Sequence, residues 1–394
     1  MLLLLVGCKT GADRSATAGE YENAVMELRQ RLAPDRRTDR VEVTVSRHNG
    51  PLRLTGYTTL PAAVGALDSL ATAAGPGSSN DVRLLPNPRL AHSFGLIRTS
   101  VANIRTEPGH SQELTSQALL GTPIELLDEA DGWYLIRTPD RYLAWLEEGA
   151  FVGVDRSGAE AWFSDRLRTC VPAQTVVLDR PGGERVVSEL VAGCLVQVTG
   201  TRAEEFVEVR LPDDRRGYVR EGELRLYRAL AQPDRVGIDS VLQTAFAQVG
   251  RPYLWGGTSP KAMDCSGFTK TAYYLNGYVI PRDASQQVHA GVDVPLDAGF
   301  TQVQRGDLLF FGSYREDGSE RVTHVGFYLG KGRFLHAGAD NDYITENSLL
   351  EKDADFAPHR KASLLSARRL REGAAGVVPV GEAFRALYTK SSSR

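Results

Sequence analysis

The residues best suited to chemistry sit in the run Asp264-Cys265-Ser266-Gly267-Phe268. Phe268, Ala272 and Leu275 follow Cys265 at helical spacing, and Gly277 supplies a stop. Cys265 therefore opens a helix, whose unpaired first-turn N–H groups and positive partial charge favour a thiolate over a thiol. Gly267 keeps bulk away from the sulfur. A thiolate that attacks an amide carbonyl still needs a proton donor for the leaving amine.

That donor is sought among the histidines. Residues 322–329 (Val-Thr-His-Val-Gly-Phe-Tyr-Leu) read as a strand, Gly330-Lys331-Gly332 as its turn, and 333–337 as the returning strand. With a three-residue turn, Leu329 faces Arg333 and His336 falls opposite Gly326. Residues 324 and 326 share a face because side chains alternate with period two. His324 and His336 then point to one side of neighbouring strands, so that His336 orients His324 and His324 exchanges a proton with Cys265. A lone cysteine is most often a small buried hydrophobe, and a lone strand histidine a satisfied core residue. A helix-opening cysteine together with a two-histidine hairpin is a different matter. His289 and His359 lack such company and are read as surface residues.

The elements that must position these groups follow the chain in blocks. Residues 1–40 hold an apolar start, a linker and one helix over 21–32. Residues 41–90 alternate as β-β-α-β, with strands over 41–45 and 81–85 and a helix over 62–74. Residues 96–153 and 170–228 are two stretches of short alternating strands broken by glycine-containing turns. Residues 234–370 run helix first and antiparallel strands afterwards, an α+β order, and residues 371–394 form a tail without an assigned role. The expected fold class is multidomain: two all-β barrels, then an α+β catalytic domain, with a small N-terminal α/β module.

These residues also carry a resemblance. Tyr253-Leu254-Trp255-Gly256-Gly257, Asp264-Cys265-Ser266-Gly267-Phe268, Arg305-Gly306-Asp307-Leu308 and the stretch from His324 to Gly330 resemble the NlpC/p60-type papain-like peptidases of bacterial cell walls. Residues 41–90 are similar to BON modules, and both barrels to bacterial SH3-like domains. The peptidase resemblance implies a Cys265–His324–His336 site, no metal, no cofactor and hydrolysis of peptide-stem bonds in peptidoglycan. SH3-like domains ahead of such a domain look like the γ-D-glutamyl-L-diamino acid endopeptidases of murein peptide recycling. There the first SH3-like domain closes the site and reads the free L-alanine amine of the substrate. Carried over, the readers are Glu113, Tyr142 and Asp283, with Ser285 as a further donor and Trp255 as an apolar wall. Asp264 and Ser266 flank the nucleophile and set its hydrogen bonding. Arg141 stands where that family usually has glycine before the tyrosine.

The rest of the sequence sets bounds. At 394 residues, with 42% hydrophobic and 24% charged residues, the chain has a globular composition, and its net charge of −3 offers no footprint for nucleic acid. Leu5-Val6-Gly7-Cys8 resembles a lipobox, which implies acylation at Cys8 and a membrane-anchored, periplasm-facing lipoprotein of the cell envelope. The basic stretch that normally precedes such an apolar run is missing. Either translation begins upstream of Met1 or the leucine run is accidental. Cys170 and Cys194 are read as a disulfide or as two buried thiols. The alternatives to murein-peptide cleavage are a hydrolase of intact wall, an N-acetylmuramoyl-L-alanine amidase, and a catalytically silent wall-binding scaffold.

Overall fold

The computed structural model describes residues 17–47, 50–233, 236–297 and 299–389. The chain divides into two compact units, Met1–Pro88 and Arg89–Arg394.

In the first unit the helix Ala18–Leu32 starts three residues earlier than the apolar pattern indicates. Thr17 and Glu20 form a capping box that satisfies its first N–H groups. Strands Val41–Ser46 and Arg53–Thr58 pair antiparallel, and Ser79–Leu84 returns parallel to the second after the helix Pro61–Ala73. Leu52, Leu54, Leu67 and Val25 form its core.

The second unit begins with two sheets of seven strands each. The first comprises Phe94–Ile97, Val101–Arg105, Leu114–Leu119, Pro123–Ala130, Trp133–Arg137, Leu143–Glu147 and Phe151–Val154. The second comprises Leu167–Cys170, Gln174–Leu178, Val186–Val191, Leu195–Ala203, Phe206–Arg210, Arg216–Arg220 and Leu224–Leu226. Counted within each barrel, both sheets run in the order 7-1-4-5-6-2-3, so the second is a structural repeat of the first. Cys170 and Cys194 sit in the second barrel as buried free thiols. Burial pushes the Cys194 thiol up to about 12 and raises Cys170 as well.

The α+β domain follows. Its sheet is antiparallel, in the order Val292–Val294, Leu364–Arg369, Leu308–Tyr314, Glu320–Gly330, Arg333–Gly338, Tyr343–Ser348. The helix Cys265–Tyr274 packs on it through Phe268, Ala272 and Tyr273, with the Phe268 ring edge-on to Phe327 at 5.6 Å and Tyr273 stacked on the same ring. Leu275 is only half-buried, because the helix ends there beside the second barrel. Within the described part of the tail, the helix Val380–Thr389 inserts Phe384 among Phe163, Tyr227 and Tyr274.

The first barrel docks on the α+β domain by backbone as well as side chain. Gln117 N donates to Thr258 Oγ1 (3.1 Å), Thr258 N to Gln117 Oε1 (3.0 Å), and Thr258 Oγ1 to the Gln117 carbonyl (2.9 Å). Gly256 lies alongside with φ +78°, and a Cβ there would come within 2.3 Å of the Leu114 carbonyl, so only glycine allows this approach.

Candidate active site

Asp264 caps the helix that Cys265 opens, its Oδ1 accepting from Gly267 N at 2.7 Å. Its other partners are unusual for a cap. Gly256 N donates to Oδ2 (2.9 Å), and Arg282, itself 1% exposed, donates to Oδ1 (3.1 Å) and Oδ2 (2.6 Å). Arg282 also donates to Ser266 Oγ at 2.9 Å, and Ser266 Oγ to Asp264 Oδ1 at 3.3 Å. Asp264 and Ser266 thus tie together the helix mouth, the Gly256 loop and the segment that carries Asp283. Gly267 is also required by a close approach. A Cβ there would meet the Gly257 carbonyl at 2.0 Å, so this glycine lets the helix start lie against the Gly256-Gly257 loop.

Cys265 as a whole residue is 7% exposed. Burial and the adjoining Asp264 charge push its thiol up to about 12, against hydrogen bonds from Val325 N–H and Ser266 N–H and the Arg282 charge. Desolvation thus works against the thiolate that the helix terminus favours. Val325 N–H places the sulfur beside the residue that follows His324.

The histidine hairpin has the expected register at its functional end, with Phe327 opposite Leu335. Its turn differs. The strands close at Gly330 and Arg333 around Lys331-Gly332, and a bulge after Tyr328 absorbs the extra residue. His324 Nε2 lies 2.9 Å from His336 Nδ1, and His336 Nε2 lies 2.9 Å from Asn347 Oδ1. Asn347 Nδ2 donates to the Asp355 carbonyl, and Asn341 Nδ2 donates to Asn347 Oδ1, which orients that amide. Its oxygen can only accept, so His336 carries its proton on Nε2 and accepts on Nδ1 from His324 Nε2–H. His324 Nδ1 is then left with the free lone pair of a base.

Gly326 leaves room for this diagonal pair, since a Cβ there would sit 3.0 Å from His336 Cβ. Burial lowers His324 well below 6.5, helped by His336 and Arg360, and lowers His336 to about 4 despite the Asn347 bond. Burial thus favours the uncharged form of all three groups. Among the described residues, no group of three or more His, Cys, Asp or Glu side chains is placed to hold a metal.

Of the residues carried over by resemblance, four pair across the two domains. Tyr142 donates to Asp283 Oδ2 at 3.2 Å and shares a 2.7 Å hydrogen bond with Thr115. Trp255 Nε1 donates to Glu113 Oε1 at 2.7 Å, although Trp255 is 62% exposed. Asp283 caps the short helix Ala284–Gln287, which contains Ser285, and lies 3.8 Å from Arg282. Arg141 has φ +67°, the left-handed conformation that explains a glycine preference before this tyrosine. His359 is not solitary: it bonds Asp340 Oδ2 at 2.8 Å, and Arg360 bonds Oδ1 of the same carboxylate. Cys8 lies outside the described residues.

Three residues escaped the sequence reading. Arg282 stood next to Asp283 with nothing to mark it as buried. Asn347 sits two pairs along from the His336–Thr345 pair and so on the same face, visible only once the third strand is in register. Tyr253 has its hydroxyl raised by burial first, with the Cys265 and Asp264 charges acting in the same direction. Its place in Tyr-Leu-Trp-Gly-Gly was the available signal.

Comparison with known proteins agrees with this geometry. Residues 250–354 match the NlpC/P60 family, and residues 104–151 match the bacterial dipeptidyl-peptidase Sh3 domain. The chain is 28% identical over 265 residues to dipeptidyl-peptidase 6 of Lysinibacillus sphaericus, covering 65% of this chain and 92% of that protein. It is 41% identical over 128 residues to gamma-D-glutamyl-L-lysine dipeptidyl-peptidase of Bacillus subtilis, covering 31% of this chain and 41% of that one. A crystal structure of an NlpC/P60 family protein from Bacillus cereus shares the fold, with TM-score 0.59 and 23% identity over 70% of this chain and 99% of that one.

Proposed function

We propose that this chain, which carries an NlpC/P60 cysteine peptidase domain behind a bacterial SH3 domain, cleaves the bond between γ-D-glutamate and the following diamino acid. Its substrates on this reading are cell-wall peptides with a free N-terminal L-alanine. The observation that carries the reading is the Tyr142–Asp283 hydrogen bond, in which a barrel hydroxyl and a catalytic-domain carboxylate converge. A carboxylate and an acceptor hydroxyl are what a partly buried ammonium requires. Arg282 links that carboxylate to Asp264 and so to the residue before Cys265. The Gln117–Thr258 contacts hold the barrel against the catalytic domain, which favours a closed site for released peptides over an open groove for intact wall.

In the proposed reaction His324 Nδ1 takes the Cys265 proton as the sulfur attacks the γ-carbonyl carbon. The same proton passes to the leaving amine of the diamino acid as the C–N bond breaks, and a thioester remains. Water then gives a proton to His324 and a hydroxide equivalent to the thioester, which restores the thiol. His336, held by Asn347, keeps His324 in the required tautomer. Leu5-Val6-Gly7-Cys8 supports acylation at Cys8 and a periplasm-facing position for the recycling of murein peptides; mass spectrometry of Cys8 in protein from its native host tests this part. The enzymatic reading is tested by incubation with L-Ala-γ-D-Glu-meso-diaminopimelate and mass spectrometry of the products. L-Ala-D-Glu and free diamino acid are expected, with none formed by Cys265→Ala. An intact peptide, or cleavage elsewhere, would refute it.

A further inference from the structure

The loop that carries Tyr142 is fastened to the helix that carries Cys265 by a second, buried contact. Residues 138–142 join the strands Trp133–Arg137 and Leu143–Glu147. Thr138 N donates to the Tyr142 carbonyl at 3.0 Å, Thr138 Oγ1 to the same carbonyl at 3.3 Å, and Arg141 N to the Thr138 carbonyl at 2.8 Å. At its tip Asp140 accepts from the Thr138 hydroxyl through Oδ1 and pairs with Lys270 Nζ through Oδ2 at 2.8 Å. The Asp140 side chain is 2% exposed and that of Lys270 17%. Burial would raise the Asp140 carboxyl, but the Lys270 charge and the Thr138 hydroxyl hold it below its ordinary value, so the pair is ionic. Lys270 lies five residues after Cys265 on the same helix. A cavity of about 60 Å³ adjoins the pair, lined also by Thr138, Pro139, Thr271 and Tyr274.

A buried ion pair contributes little net stability over a well-packed apolar pair, because both charges lose their hydration. Its distinctive property is geometric, since each charge tolerates few positions for its partner. Here the Lys270–Asp140 pair joins the Tyr142 loop directly to the nucleophile helix. We propose that Lys270 and Asp140 are positioning residues for substrate specificity. They hold the Tyr142 hydroxyl at Asp283, and so fix the distance between the site for the substrate's terminal ammonium and the Cys265 sulfur. This rests on the amine-reading function proposed above.

The test uses the full chain with both charges removed together, Asp140→Asn/Lys270→Met, so that no unpaired charge is left buried. KM and kcat are measured for L-Ala-γ-D-Glu-diamino acid and its N-acetylated form, with and without Tyr142→Phe. The double variant is expected to raise KM for the free-amine peptide about tenfold, equivalent to ~1.36 kcal/mol, while kcat changes far less. Tyr142→Phe should then add little further loss, and Lys270→Arg should retain the wild-type preference. Should the double variant fail to fold, Thr138→Val removes only the hydroxyl between Asp140 and the Tyr142 carbonyl and carries the same comparison. A free-amine preference in the wild type that survives the variants, or a Tyr142→Phe loss of equal size in both backgrounds, overturns the positioning role alone. A wild type without any free-amine preference overturns the amine-reading function and this role with it.

Discussion

The two barrels share one strand order but face the catalytic domain differently. The first meets the end of the nucleophile helix that carries Cys265 and offers side chains there: Glu113 to Trp255, and Tyr142 to Asp283. The second meets the opposite end, where Tyr274 donates to the Gly193 carbonyl at 3.0 Å and Arg225 to the Leu275 carbonyl at 3.4 Å. Lys261 also pairs with Glu189 of the second barrel at 2.6 Å. One copy of the fold supplies loop side chains beside the start of the nucleophile helix, and the other braces the helix end by bonds to main-chain carbonyls. The sites therefore reside in loop residues grafted on a common frame rather than in the barrel itself.

The largest effect should come from the buried Arg282–Asp264 ion pair. Arg282→Met leaves Asp264 buried without its cation, which costs about 3–5 kcal/mol of stability. Lys261→Met at the second barrel breaks a half-exposed pair and should cost under about 1 kcal/mol. Denaturant unfolding of the two variants side by side measures the contrast, and equal losses would erase it.

Acid should separate the histidine-bearing sheet from the barrels. His336 titrates at about 4 when folded and 6.5 when unfolded, because burial disfavours the imidazolium. The unfolded chain binds more protons in that window. The stability is therefore full above pH 6.5 and lost as pH falls towards 4, by roughly 3 kcal/mol. His324 is lowered by burial too and acts in the same direction. In the first barrel, His110 is exposed and has no such burial. Unfolding free energy followed from pH 7 to 4.5 should decline across the window, and a flat profile would contradict the buried neutral pair.

A smaller effect distinguishes two tyrosines. Tyr142→Phe should lower kcat/KM for a free-amine peptide by about ten- to a hundredfold, as expected for a lost hydrogen bond to a charged group worth roughly 1.5–3 kcal/mol. Tyr274→Phe removes a neutral hydrogen bond to a barrel carbonyl. It should cost about 1 kcal/mol of stability and leave the preference for a free amine in place. Equivalent kinetic losses in both would mean that the barrels do not differ in function.

Much of this architecture was legible in the sequence because period-two alternation and helix spacing are local signals. The hairpin register around His324 and His336 followed from alternation and an expected three-residue turn; the turn is one residue shorter, and a bulge after Tyr328 restores the register. The meeting of Tyr142 with Asp283, 141 residues apart, depended on resemblance, since no local pattern encodes how a barrel docks. The electrostatics around Cys265 were only partly legible. A helix N-terminus is visible in sequence, whereas the desolvation that opposes it depends on the whole packed site. Arg282 and Asn347 stayed hidden for the same reason: one is defined by complete burial and the other by a third strand.

The central claim is that the first barrel closes the site around a free amine, and it is tested most directly by one pair of rates. Wild-type enzyme is given L-Ala-γ-D-Glu-diamino acid and the same peptide acetylated on its alanine nitrogen. Acetylation removes the positive charge and adds bulk at Tyr142 and Asp283. Loss of a buried charge-assisted contact of roughly 3–5 kcal/mol corresponds to about two to four powers of ten in kcat/KM. A fall of that size is the predicted result; equal rates on both peptides would contradict it and point to an open cleft that accepts intact wall.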